Sequence, residues 1–303
     1  MSTRTMHING HDFAVSKAEK ELFPGDHVSK GDMLDHYRAV ADAMIPHLAE
    51  RPLTLRRFPD GIGEDGFFQK HASDYFPDWI RSVEMPQAGD GTVNYVVCED
   101  EATLVYLANQ ATVEFHIWLS TLDKPDHPDR LVIDIDPPDG TEVATLRDVA
   151  RRIRDRYTAL GLTPFVQATG GRGFHVVAPL DRSADFDFVR GFATDLADGL
   201  VADDPDLLTT AQRKQRRGDR IFLDCNRNGY GQTFIAPYSL RARPGAPVAT
   251  PLDWDELGRA TPGGRDTASI SRRLARKRDP WADIDDHAAS ATAARERLLA
   301  LGD

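Results

Sequence analysis

Leu131-Val132-Ile133-Asp134-Ile135-Asp136, followed at once by Pro137-Pro138-Asp139-Gly140, is the stretch from which the fold can be read. Side chains two apart in a strand share a face, so Asp134 and Asp136 project side by side at its end. The proline-rich turn stops the strand immediately afterwards. A helix is predicted to begin near Thr141, with an apolar stripe of Val143, Leu146, Val149, Ile153, Tyr157 and Leu160, and Gly161 in a C′ position. A strand over 164–168, the turn Gly170-Gly171-Arg172-Gly173 and a strand over 174–178 follow. A second amphipathic helix carries Phe188, Val189, Phe192, Leu196 and Leu200, and strands over 221–224 and 233–236 complete the set. Strands and helices alternate irregularly and one hairpin is tight. This predicts an α+β or mixed sheet rather than a doubly wound parallel one.

Upstream, Ser29 precedes Asp32 at capping-box spacing, although the box prefers Glu or Gln there. Met33, Leu34, Tyr37, Val40, Ala41, Met44, Ile45 and Leu48 then recur at helical spacing. Pro46 is expected to kink or end that helix early. A strand over 53–58 closes on Pro59-Asp60-Gly61, and a loop with Gly63 and Gly66 leads to Phe67-Phe68-Gln69-Lys70-His71. A strand over 94–97 and a helix over 101–109 follow. Beyond Thr250 come a basic segment, Arg272 to Arg278, and an Ala-rich terminal helix over 286–301.

With 303 residues, 41% hydrophobic and 28% charged, the chain can bury a large core as about two domains or one bilobal one. Two cysteines, Cys98 and Cys225, are too few for a disulfide framework and lack zinc-site spacing, which fits a reduced cytoplasmic setting. The start of the chain is polar and has no apolar leader core. No apolar run approaches a membrane span. A net charge of −11 argues mildly against nucleic acid as a partner. Binding, however, depends on where cations cluster. Arg213, Lys214, Arg216, Arg217 and Arg220 do cluster, directly before the strand that ends in Asp224.

Paired carboxylates repel unless a cation lies between them, and hard divalent ions take such oxygen ligands, often with phosphates completing the shell. The pattern points to phosphoryl or nucleotidyl transfer. In Thr169-Gly170-Gly171-Arg172-Gly173-Phe174-His175, glycines expose backbone N–H groups, Arg172 can fork onto phosphate oxygens, and Thr169 and His175 add donors. Asp224 ends an apolar strand as Asp136 does. Each feature has an ordinary reading alone: a glycine hairpin, a capping Asp, a core histidine, a solvated basic run. Three carboxylates at strand ends around a basic glycine turn are harder to explain by capping, and would suit two metal ions.

Together these residues resemble the archaeo-eukaryotic primase superfamily and, more closely, the polymerase domain of bacterial DNA ligase D and its stand-alone primase-polymerase relatives. Supporting stretches are Arg56-Arg57-Phe58-Pro59-Asp60-Gly61, Phe67-Phe68-Gln69-Lys70-His71, Glu114-Phe115-His116-Ile117-Trp118 and Ala236-Pro237-Tyr238-Ser239-Leu240-Arg241-Ala242-Arg243. The resemblance runs from about Ser16 to Leu257. Thr169 stands where Ser is commoner, Arg172 where Lys is, and Cys225 where an aromatic is frequent.

The resemblance implies one primase-polymerase domain over 1–303: an N-terminal α/β lobe over about 1–110, a catalytic lobe with an RNA-recognition-motif-like sheet over about 111–260, and a C-terminal segment. It implies a template-dependent nucleotidyltransferase acting at gaps or broken ends in DNA repair, with two Mn²⁺ or Mg²⁺ ions. By motif, Asp134, Asp136 and Asp224 would hold the metals. His116, Thr169, Gly171, Arg172, His175 and Arg241 would bind the NTP or dNTP. Lys20, Lys30, Arg57, Phe67, Phe68, Lys70, Lys214, Arg217, Asn228 and Arg243 would contact DNA, with Lys20 and Lys30 on the 5′-phosphate across a gap. Implied partners are gapped DNA, Ku and a DNA ligase, with no membrane, in a nucleoid-associated cytoplasmic setting. The rival readings are a Mn-dependent sugar-nucleotide glycosyltransferase, which would not need Asp224 or the basic run, and a non-catalytic 5′-phosphate end-binding module.

Overall fold

The computed structural model describes residues 3–300 apart from 88 and 90. The chain forms two compact units of mixed α+β character. The first comprises Met1–Trp118, Thr233–Thr250 and Gly263–Asp279; the second comprises Leu119–Gln232, Pro251–Pro262 and Pro280–Asp303. The divide falls after Trp118 rather than near 110, because the strand Thr112–Trp118 pairs with Leu53–Arg57. The C-terminal segment is likewise shared between the units.

In the second unit the sheet runs in the order Leu208–Thr209, Ile221–Asp224, Arg130–Asp136, Phe174–Pro179, Phe165–Ala168 and Thr250–Leu252. Arg130–Asp136 is antiparallel to both its neighbours, while Leu208–Thr209 and Ile221–Asp224 run parallel. Period-two alternation then divides the central strand. Leu131, Ile133 and Ile135 face a core shared with Val166, Phe174, Val176, Ile221 and Leu223. Against that face pack the helices Val143–Ala159, through Leu146, Val149, Ile153 and Tyr157, and Phe186–Asp203, through Val189, Phe192, Leu196 and Leu200. The opposite face is thereby left to Asp134 and Asp136. Gly161, at φ +77°, closes the first of these helices: its N–H reaches the Thr158 carbonyl and the Leu162 N–H reaches that of Tyr157.

In the first unit a second sheet runs Thr233–Ile235, Thr112–Trp118, Leu53–Arg57, Thr92–Val96 and Ser82–Pro86, with Phe67–Gln69 also paired to Leu53–Arg57. The strand expected over 233–236 therefore belongs to this sheet and not to the one that carries Asp224. The helix Lys30–Leu48 opens with the reciprocal capping box: the Asp32 N–H donates to Ser29 Oγ at 3.2 Å and the Ser29 N–H donates to Asp32 Oδ2 at 2.8 Å. Pro46 does not end it early. It lies in the last turn, where its missing N–H removes one bond, and the Ala49 N–H still reaches the Ile45 carbonyl. The terminal helix is Ala291–Ala300, shorter than expected at its start because Ala289 bridges Leu180 in extended form; Leu301 lies outside the described residues. Among the described residues no helix is long and apolar enough to cross a membrane.

Candidate active site

Cross-strand register assembles the centre of the site in the second unit. Asp134 is directly opposite His175 on one side and Asp224 on the other. In an antiparallel pair such partners share a face with Cβ atoms about 4.5–5.5 Å apart. Asp136, two residues on, faces the same way, opposite Phe222. The third carboxylate thus stands beside the first, although 90 residues separate them in sequence.

Basic side chains crowd these carboxylates. Arg227 Nε lies 3.4 Å from Asp134 Oδ2 and 3.9 Å from Asp224 Oδ2. His175 Nε2 is 3.5 Å from Asp134 Oδ1, and its ring is buried. Arg172 donates to Asp136 at 3.1 Å and to Asp139 at 2.5 Å. Arg217 reaches Asp136 at 3.4 Å, with its guanidinium 3.5 Å above the Phe222 ring and its Nε donating to the Ala211 carbonyl. Lys214 lies on the exposed turn just before it.

The hairpin is held to this place by its backbone. A Cβ at Gly173 would lie 1.7 Å from the Ile135 carbonyl oxygen, so only glycine lets the turn approach the central strand. Thr169 Oγ1 donates to the Gly173 carbonyl at 2.9 Å and accepts the Gly171 N–H at 3.1 Å.

The donor set fits hard divalent ions: Asp134, Asp136 and Asp224 offer carboxylate oxygens, and Asp134 and Asp224 already share one cation, the guanidinium of Arg227. With arginines in these places, among the described residues no three His, Cys, Asp or Glu close round a single point.

The first unit carries the other expected residues in separate groups. Strand register lines up Phe68, Arg56 and Glu114 across three neighbouring strands. Glu114 is buried and its carboxylate accepts from His116 Nε2 at 3.0 Å, Arg241 Nε at 3.2 Å and the Ala242 N–H at 2.9 Å. Burial opposes its charge, but His116, Arg241 and the amide outweigh that and hold the carboxyl well below the usual range. Phe67 and Phe68 are 47% and 59% exposed, as is Tyr75 at 59%, and Arg57 lies 5.5 Å over the Phe67 ring and donates to the Tyr75 hydroxyl at 2.9 Å. Together Phe67, Tyr75, Arg57 and His71 line an open cavity of about 510 Å³. Lys70 and Arg243 are exposed. Lys20 Nζ binds the Pro59 carbonyl at 2.6 Å and Asp60 at 2.8 Å. Lys30 is buried with Nζ 3.0 Å from the Ser16 carbonyl. Burial first, then repulsion from Lys17 and Lys20, pulls its ammonium down to about 8.

One expected DNA contact is corrected. Asn228 has no exposed surface, and its amide is spent on the central strand: Oδ1 accepts the Val132 N–H at 2.8 Å, and Nδ2 donates to the Val132 and Cys225 carbonyls at 2.7 and 2.9 Å. It pairs with the strand beyond the point where the Asp224 strand stops. Sequence reasoning missed Arg56, Glu114, Arg227 and Tyr75 as site residues. Glu114-Phe115-His116 has the same two-residue spacing as Asp134-Ile135-Asp136 and held the signal for Glu114; nothing local marks Arg227 or Tyr75.

Known proteins resemble this chain over most of its length. The family described as "LigD, primase-polymerase domain" matches residues 29–281. The chain is 34% identical over 251 residues to the multifunctional non-homologous end joining DNA repair protein LigD of Mycobacterium tuberculosis (strain ATCC 25618 / H37Rv), covering 80% of this chain and 33% of that protein. It is 31% identical over 291 residues to multifunctional non-homologous end joining protein LigD of Pseudomonas aeruginosa, covering 95% and 34%. The chain thus spans about a third of the length of these curated relatives. Among solved structures, the polymerase domain from Mycobacterium tuberculosis ligase D in complex with DNA superposes with a TM-score of 0.84 at 32% identity, covering 90% of this chain and 98% of that one.

Proposed function

Since the chain belongs to the LigD primase-polymerase family, we propose that it is a template-dependent nucleotidyltransferase that adds ribo- or deoxyribonucleotides to a primer 3′-hydroxyl. Its substrates are gaps or broken ends with a 5′-phosphate, met in end joining or gap filling at the nucleoid, with Ku and a ligase as partners. The observation that carries this reading is the row His175, Asp134 and Asp224 on adjacent strands, with Asp136 and Arg172 beside it.

Asp134, Asp136 and Asp224 would hold Mn²⁺ or Mg²⁺. When bound, the ions lower the pKa of the attacking hydroxyl and offset charge on the phosphates. The side chains supply the rest. Arg172 exchanges Asp136 and Asp139 for phosphate oxygens of the incoming triphosphate. His175 and Thr169 add donors there, and the Gly171 N–H leaves the Thr169 hydroxyl for a phosphate oxygen. Arg217, Lys214, Lys70 and Arg243 track the nucleic-acid backbone. Phe67 and Phe68, with Tyr75, offer rings on which template bases of any sequence stack. The 3′-hydroxyl attacks the α-phosphate and pyrophosphate leaves.

The test is extension of a 5′-phosphorylated gapped duplex, comparing NTPs with dNTPs and Mn²⁺ with Mg²⁺. Templated incorporation is expected, strongest with NTPs and Mn²⁺. Binding of ends without incorporation would replace this reading with the end-binding module, which Lys20, Lys30 and the basic run Arg213–Arg220 could serve. Transfer from a sugar nucleotide would replace it with the glycosyltransferase.

Lys30 gives the 5′-phosphate contact a pH signature. The phosphate is bound by the ammonium, and that form is lost as pH rises through about 8. Preference for 5′-phosphate over 5′-hydroxyl ends is therefore expected to shrink between pH 7 and 9, as read by fluorescence anisotropy. Lys30→Arg, charged throughout that range, should flatten the profile. A wild-type profile that is already flat would remove Lys30 from the phosphate site.

A further inference from the structure

Glu114 is an acid set among His116 and Arg241, residues expected to bind the nucleotide. Its side chain is 2% exposed, yet it is ionised and gathers three potential cations: His116 at 3.0 Å, Arg241 at 3.2 Å and Arg56 at 3.4 Å. Four elements meet on it. Glu114 and His116 come from one strand, Arg56 from the next, Arg241 and the Ala242 amide from the loop after Thr233–Ile235, and Tyr37 of the helix Lys30–Leu48 lies close enough for its hydroxyl to feel the charge. The exposed Phe68 ring completes the group, 5.7 Å from the His116 ring and 5.3 Å from the Arg56 guanidinium.

Arg56 on one strand and Arg241 on the loop repel one another, and long side chains without a fixed partner scatter over rotamers. A buried carboxylate removes both problems. It offsets part of the charge, and its two oxygens fix where each cation points. We infer that Glu114 is the positioning residue of a phosphate clamp made of Arg56, His116 and Arg241, and that it tightens triphosphate binding although it carries the same sign of charge as the ligand. The inference rests on the nucleotidyltransferase reading for the identity of the ligand, but not for its test.

The sign of the effect separates positioning from simple electrostatics. If Glu114 acted only as a charge, removing that charge would strengthen anion binding. If it positions the cations, removal weakens binding. The experiment is calorimetric titration of the full chain with inorganic tripolyphosphate and with ATP, for wild type, Glu114→Gln and Glu114→Asp, together with KM and kcat on a gapped substrate and a thermal melt. Glu114→Gln is expected to raise Kd for tripolyphosphate and KM for the nucleotide by about tenfold, with kcat changed less than about twofold and the melting temperature lowered, because buried basic groups lose their partner. Glu114→Asp keeps the charge but draws it back by one methylene, and should weaken binding by a smaller factor. It carries the test if the Gln variant does not fold. Unchanged or tighter tripolyphosphate binding in either folded variant overturns the inference, as does a wild type that binds no tripolyphosphate. Failure of the wild type to incorporate nucleotides while the titrations behave as expected would strike the polymerase reading alone.

Discussion

Asp134→Asn is expected to reduce nucleotide incorporation by roughly 10³-fold or more, a loss of about 4 kcal/mol of transition-state stabilisation, without harming the fold. Asp134 stands in register opposite site residues on both neighbouring strands, His175 and Asp224. Asn keeps the shape but not the charge on which the proposed metal-holding role depends. In the folded chain, Asp134 crowds Asp224 and competes with it for the single guanidinium of Arg227. Neutralising it relieves like-charge repulsion, so the melting temperature should stay level or rise by a few degrees, the usual sign of a site kept at the expense of stability. Asp224→Asn should behave in the same way. Incorporation assays and calorimetric melts on the two variants decide the matter. Retained incorporation would remove these carboxylates from the chemistry, and a collapsed melt would make them structural.

The second large effect comes from a residue with no side chain. Gly173→Ala would put a methyl group 1.7 Å from the Ile135 carbonyl oxygen, an approach that backbone cannot absorb by rotating a side chain. The hairpin must move off the central strand, at a cost of about 1–3 kcal/mol or more. The same shift carries Arg172 and His175 away from Asp136 and Asp134. A displacement near 1 Å can lower a rate by roughly 10²-fold, so incorporation and thermal stability should fall together. A variant with wild-type melting and wild-type rate would mean that the hairpin does not depend on this approach. Asp134→Asn and Gly173→Ala thus differ in kind: one loses chemistry alone, the other loses chemistry and stability in parallel.

Much of this was legible before any coordinates. The alternation Leu131, Ile133, Ile135 against Asp134, Asp136 fixes which face of one strand is core and which is polar. The two helices that cover the core face were readable from their stripes, and so was the glycine hairpin. What sequence could not give was pairing. The strand Thr233–Ile235 reads like any other short apolar run, and only backbone hydrogen bonding assigns it to the sheet of the first unit. The adjacency of Asp134 to Asp224 is a matter of register, which no local pattern specifies across 90 residues. Asn228 was expected at the DNA only through the family resemblance, which carries a position but not its burial; its amide is bonded to Val132. Arg227 went unassigned because one arginine among many carries no mark of its target. Glu114 was within reach, at the two-residue spacing already used to pair the aspartates.

The first unit is written in three separate stretches of chain, the last of them Gly263–Asp279. A ribosome must therefore deliver the chain as far as Asp279 before that unit has all its parts. The helix Thr267–Leu274, which packs on Lys30–Leu48, is translated more than 200 residues after its partner. A nascent chain halted at Gln232 would also lack the edge strand Thr233–Ile235, leaving the backbone of Thr112–Trp118 open along one side. Such an open edge pairs readily with other chains, so stalled or prematurely terminated products should aggregate rather than accumulate as a working half.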